Sequence, residues 1–316
     1  ADHVRTGRFH RLTHHSEMVL HPLDEAAIGE LVAAKFRQYM HEAEHISPAL
    51  IAKIVAQAEG NPFFAEELIN YLHYRNIDPT DARAADRLVL PSSLHQLVLS
   101  RVDHLTEHQK ITAKIASIVG RSFRASWLWY AFRELGSQEA VQRTLDALTR
   151  RELTMQNPQE PDHGYLFRHA VTHGVAYESL PFAARQEFHE RFAQFIEAEY
   201  ALQLDQYVSL LAYHFTQSSN QVKMREYLRR AGEAARREYA NESAIDYYTK
   251  LLPLHHGAEQ IEIMLNQGAV LQMDGRWHEE DQHFQSALAL DEEAGIRQEI
   301  GEVSFALAEH FRRRGA

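Results

Sequence analysis

Small and aromatic residues recur at a near-fixed interval in the last third of this 316-residue chain, and that recurrence narrows its possible folds more than any other feature. A unit beginning near residue 225 carries Leu228, Gly232, Ala235, Ala244 and Tyr248. A second, near 261, carries Met264, Gly268, Leu271, Phe284 and Ala287. A third, near 301, shows Ala308 and Phe311, so the offsets are 36 and then 40 residues. Periods of this size belong to stacked helix-turn-helix units, of about 34 residues in the commonest type. The small residues let two helices approach, and the aromatic ones fill the groove between them. Residues 182–217, with Phe188, Phe192, Phe195 and the run from Leu211 to Phe215, read as the start of the same superhelix. An unrelated helical bundle is the alternative.

The rest of the chain is also mainly helical. Asp24 can cap a helix whose apolar face is Ile28, Leu31, Val32 and Phe36. Ser47-Pro48 places a cap before a proline at the first helical position. Leu50, Ile51, Ile54, Val55 and Ala58 then share one face, and Gly60 is expected just past the helix end. Phe63, Phe64, Leu68, Tyr71 and Leu72 continue in a third helix, and residues 75–90 read as a linker. Helices are expected at about 93–104, 107–119, 124–135 and 138–151, with Thr106 and Ser137 as caps. Leu153–Gln156 and Tyr165–Arg168 are short β-capable runs around a turn-rich Asn157–Gly164 loop, which predicts a hairpin. Helices followed by a hairpin suggest a winged helix, with 138–151 in the recognition-helix position.

Composition excludes several functions. Hydrophobic residues make up 45% and charged residues 24% of the chain, the balance of a soluble globular protein. A formal net charge of −11 argues against broad binding to nucleic acid or anionic membranes. The absence of cysteine rules out disulfides and thiolate chemistry and fits a cytoplasmic setting. No apolar run approaches the roughly 20 residues a membrane helix requires. The polar, His-rich start does not resemble a signal peptide. A chain that opens on Ala1 is expected to be a piece of a longer protein.

Three stretches together resemble the STAND class of signal-transducing ATPases. The first is Gly60-Asn-Pro-Phe-Phe-Ala-Glu-Glu-Leu68, similar to the end of the helical lid. The second is Leu90-Pro-Ser-Ser-Leu94 with Ser100-Arg-Val-Asp-His-Leu105 and Ile118-Val-Gly-Arg-Ser-Phe123. The third is Phe167-Arg-His-Ala170, running through Val175-Ala-Tyr-Glu-Ser-Leu180 to Arg185 and His189. The resemblance is to bacterial multidomain regulators in which an ATPase core and tetratricopeptide repeats follow an adenylate/guanylate cyclase or kinase domain. Large repeat-bearing transcription activators are similar. The resemblance implies a mainly α fold: a helical lid and a winged helix with a small β-hairpin, then a tetratricopeptide-like superhelix. Its domains would be 1–90 (end of the NTPase core and lid), 91–181 (winged helix) and 182–316 (repeats). Met18–Leu23 looks like the last strand of the core, or the link leaving it. The chain departs from the family in lacking a G-x-x-x-x-G-K-[ST] phosphate loop and the acidic Mg²⁺-binding strand. No catalysis and no cofactor are therefore expected of this chain alone, whereas ADP or ATP with Mg²⁺ is implied for a full-length parent.

The same resemblance nominates site residues. Gly60 and Pro62 match the lid element that contacts adenine, where glycine allows close backbone approach and proline offers a rigid apolar surface. His169 matches a histidine that approaches the β-phosphate of ADP, as an imidazole donor can. The partners implied are a protein or small-molecule signal on the repeats, the missing NTPase core and an output domain, with no membrane.

Two other readings compete. His41-Glu42-Ala43-Glu44-His45 fits H-E-x-x-H, the zinc-hydrolase pattern, with Glu66 or Glu67 as a conceivable third ligand. Against it, the chain holds 21 histidines and further i,i+4 pairs at 10/14, 104/108 and 169/173, so such pairs arise by chance and no metal site is expected. A winged helix also raises DNA binding through Arg143, Arg150 and Arg151. Residues 91–180, however, carry 10 Lys and Arg against 9 Asp and Glu, which is no electrostatic footprint. Arg312–Arg314 reads as a solvated helix end.

Overall fold

The computed structural model describes residues 18–39, 46–81, 88–159 and 164–294, and divides into two compact units, Ala1–Leu105 and Thr106–Ala316. In the first unit lie α1 (Glu25–Tyr39), α2 (Pro48–Ala58), α3 (Pro62–Tyr74) and α4 (Leu94–Asp103). Local chemistry sets their ends. Asp24 Oδ1 accepts the Ala27 N–H at 2.7 Å, and Asn61 Oδ1 accepts those of Phe63 and Phe64. Proline stands at the first helical position of both α2 and α3. Two residues, rather than glycine alone, turn the chain out of α2: Glu59 at φ 49° and Gly60 at φ 75°. Ile28, Val32, Leu50, Ile54, Leu68 and Leu97 are fully or nearly fully buried in one core shared by the four helices. Leu31, Ile51 and Val55 pack at its margin.

The second unit opens with α5 (Glu107–Val119), whose start is a full capping box between Thr106 and Gln109. Next come β1 (Ser122–Arg124), α6 (Ala125–Ala131), a 3-10 turn (Arg133–Leu135) and α7 (Gln138–Arg150), capped by Ser137. β2 (Thr154–Gln156) and β3 (Gly164–Phe167) form the expected hairpin. Sequence patterning misses β1, which is three residues long, and runs one helix through 124–135 where α6 and a separate turn stand. β1 joins the hairpin on the open side of β3, giving an antiparallel sheet of order β1-β3-β2 with Ser122 opposite Leu166 and Thr154 opposite Phe167. Phe123 stacks on Tyr165 and lies tilted against Phe167, and all three rings are buried.

Helices follow to the end of the described chain: α8 (Ala170–Glu178), α9 (Phe182–Glu199), α10 (Val208–Thr216), α11 (Gln221–Arg237), α12 (Asn241–Leu251), α13 (Ala258–Met273) and α14 (Trp277–Ala294). From α9 onward each helix packs on its neighbour in the chain, the arrangement of a helical repeat. The periodic residues sit where the pairs close. A Cβ at Gly232 would stand 2.9 Å from the Tyr248 ring, and one at Gly268 would stand 2.5 Å from the Phe284 ring. The glycines therefore let α11 approach α12, and α13 approach α14, against a buried aromatic ring in each case. Ala308, Phe311 and Arg312–Arg314 lie outside the described residues.

Candidate functional site

Gly60 and Pro62 fall in one turn of the first unit. The Gly60 carbonyl accepts the Leu23 N–H at 2.9 Å. A Cβ on Gly60 would meet the Leu23 carbonyl oxygen at 2.6 Å and Pro22 Cβ at 2.7 Å. Positive φ and this contact together require glycine, and the backbone that approaches it here is the chain's own. Pro62 is exposed at the head of α3. Behind the turn, Glu67 of α3 and Arg101 of α4 form an ion pair with side chains only 2% and 5% exposed. Asn70 Nδ2 donates to the same Glu67 oxygen at 3.2 Å. Two of the sequence signatures, Gly60–Leu68 and Ser100–Leu105, are thus clamped together by a buried charge pair that no local pattern announces. Glu67 is engaged in that pair. His41, Glu42 and His45 lie outside the described residues. Among the described residues no group of three or more His, Asp or Glu is placed to hold a metal ion.

His169 belongs to the second unit, half-buried at the N-cap of α8, where it gives that helix no side-chain cap. Its neighbour Arg168 pairs with Glu152 at 3.4 Å. One turn on, His173 Nε2 meets the Ser117 carbonyl at 2.9 Å, and burial lowers its pKa. The rest of that signature builds a buried aromatic seam. Tyr177 Oη meets His189 Nε2 at 3.1 Å, and the Arg185 guanidinium lies 5.0 Å from the centre of the Tyr177 ring.

Helix α7 turns its polar middle inward. Tyr165 Oη donates to Asp146 Oδ1 at 2.9 Å and accepts from Gln142 Nε2. Burial, and then the Asp146 hydrogen bond, push the Tyr165 phenol up to about 12. That leaves Glu139, Arg143 and Arg150 exposed on α7, a mixed set rather than a cationic face.

A polar ladder, unforeseen in the sequence, links the first helices of successive pairs. From α9 to α11, Glu190 accepts from Asn220, and Glu197 accepts from Lys223 and Tyr227, the last two at 2.7 Å. From α11 to α13, Arg229 donates to Glu262 at 3.0 Å and Arg236 to Asn266 at 2.6 Å. The i,i+7 spacings of Glu190/Glu197 and Arg229/Arg236 were its available signal. In the first unit a groove of about 470 Å³ runs between α1 and α2, lined by Gly29, Ile51, Ala52 and Val55 with Glu25 at its edge.

No family model and no curated protein matches the chain. Among solved structures it is similar to the Signal Transduction ATPase with Numerous Domains (STAND) protein with a tetratricopeptide repeat sensor from Pyrococcus horikoshii, at 12% identity and a TM-score of 0.31. The match covers 92% of this chain and 57% of that one. The likeness is distant and coarse, and the functional reading rests on this chain's own residues. Among the described residues no helix is long and apolar enough to cross a membrane.

Proposed function

We propose that this chain is the regulatory and interaction arm of a STAND-type ATP-dependent signalling protein. In this reading the first ~90 residues are the end of an NTPase core and its lid, on the sequence signature and typical domain sizes. Residues 91–181 form a winged helix that acts as an internal latch, and residues 182–316 form tetratricopeptide-like repeats that take the signal. The observation that carries it is the repeated device in the helix pairs: Gly268 under Phe284 reproduces Gly232 under Tyr248. The order helix, strand, helix, helix, strand, strand from α5 to β3 supports the winged helix.

In the parent protein ADP holds lid and latch on the core, and a signal bound to the repeats favours the open state. This requires the signal to bind one state more tightly than the other, since only differential affinity shifts an equilibrium. Calorimetric titration of the chain with Mg²⁺-ADP tests the assignment. An arm without a phosphate loop gives no heat at high micromolar ligand. Saturable binding weakened by Pro62→Ala or His169→Ala would show that a nucleotide site survives here and would overturn the division into arm and motor. In a longer protein that includes the core, exchange of ADP for ATP must change the hydrodynamic radius. An unchanged radius sinks the switch.

A further inference from the structure

We propose that His189 and His214 form an acid-sensitive pin, which fastens α10 to α9 while the pair is neutral and releases it when the pair takes up a proton. Both side chains are completely buried, and their Nδ1 atoms stand 2.8 Å apart. Two like nitrogens can share a hydrogen bond only when one carries a proton and the other does not. His189 Nε2 is engaged by Tyr177 Oη at 3.1 Å, and His214 Nε2 has no partner among the described residues. A buried bare nitrogen is tolerated more readily than a buried N–H without an acceptor. The neutral arrangement is therefore His214 Nδ1–H donating to His189 Nδ1, with His189 Nε2–H donating to Tyr177 Oη. The next proton has to go to His214 Nε2, where no acceptor waits.

The surroundings do not compensate that charge. Phe192 and Tyr213 lie edge-on to His214, with ring centres 4.7 and 5.0 Å away. α8 presents His173 and Tyr177, α9 presents Arg185, and α10 presents Tyr213. α11 presents Tyr227 behind Phe215, and α5 carries Lys114, whose Nζ reaches the Ser179 carbonyl. Glu190, beside His189 in the chain, is turned to Asn220 and Gln194. Burial, and then Arg185, push His189 down to about 4. Burial, and then His189, hold His214 well below the ordinary range.

The pin sits at a junction. α9 packs on α5 and α6 of the sheet-bearing part, whereas α10 packs on α11, the first helix of the repeating pairs. Loss of the α9–α10 contact unseats α10, while the Glu190 and Glu197 hydrogen bonds still hold α11 to α9 and each helix pair keeps its own Gly–aromatic packing. Both folded pKa values lie below the unfolded value of 6.5, so the contribution is complete above that pH and is lost as pH falls below it, His189 itself titrating only at about 4. For one such group the opening constant rises roughly 30-fold between pH 8 and pH 5.

Hydrogen exchange of the full chain, corrected for intrinsic pH dependence, reads that constant helix by helix. The expected result is a rise of at least that size in α10, with α11–α14 changing less. In the paired variant His189→Leu, His214→Phe the rise in α10 disappears. A paired variant that keeps the rise, a wild type without it, or α10 opening in step with α11–α14 would each overturn the pin. If the paired variant fails to fold, imidazole ¹⁵N shifts of the wild type decide. Rings that stay neutral until α10 opens below pH 6 support the proposal, and rings that titrate near 6.5 with α10 still protected overturn it.

Discussion

In the first unit Glu67 and Arg101 meet as full charges between α3 and α4, while in the second His189 and His214 meet as neutral rings between α9 and α10. Both pairs are buried, and both join successive helices through residues 34 and 25 positions apart. The first is held by opposite charge and tolerates loss of neither partner. The second is held by close packing around an uncharged hydrogen bond and tolerates no added charge. Elsewhere in the second unit Gly–aromatic contacts close the helix pairs, part-exposed ion pairs such as Glu197–Lys223 and Arg229–Glu262 link them, and Tyr165 of β3 donates to the Asp146 carboxylate of α7.

The largest effect is expected from breaking the charge pair. Arg101→Met strands a buried carboxylate and costs about 3–5 kcal/mol, read from exchange protection of α3. Adding Glu67→Leu to the same chain should restore most of that loss, because a buried pair replaced by apolar side chains is often near neutral. If the double variant is as unstable as the single, charge is not what joins α3 to α4.

A smaller effect tests the packing side. Gly268→Ala drives a methyl into the Phe284 ring and costs about 1–3 kcal/mol. Gly232→Ala, with its wider clearance from Tyr248, costs less. Denaturant midpoints of the two variants decide the order, and equal midpoints would break the parallel between the two helix pairs.

The smallest effect concerns the Tyr165 network. Tyr165→Phe removes one hydrogen-bonded hydroxyl, worth about 1 kcal/mol. The Tyr165 phenol is raised from 10.0 to about 12, so its contribution is present below pH 10 and lost as pH rises toward 12. Unfolding curves across that alkaline range should fall for the wild type and be flatter for Tyr165→Phe.

Much of the fold was legible because helices announce themselves locally. Asp24, Thr106 and Ser137 cap the helices that follow them, and the i,i+3/i+4 apolar rows of α1 and α2 face the core as their spacing requires. β1 escaped because three residues carry too little pattern to separate a strand from the helix beside it. Its place on β3 is set by Phe123 stacking on Tyr165, 42 positions away. The candidate site was legible as residue types only. Gly60, Pro62 and His169 were identifiable by resemblance, but the contact between Gly60 and residues 22–23 was not, since any turn glycine reads alike in one dimension.

The sequence by itself determined the helical character, most of the helix ends and the 36-residue repeat, all of which follow from forces acting within a few residues or from periodicity. Only the tertiary structure decided which buried polar groups meet. Glu67 finds Arg101 across 34 positions and His189 finds His214 across 25. Burial then converts ordinary side chains into a charge clamp in one unit and a proton-sensitive joint in the other, because the cost of a charge depends on the solvent that the whole fold removes.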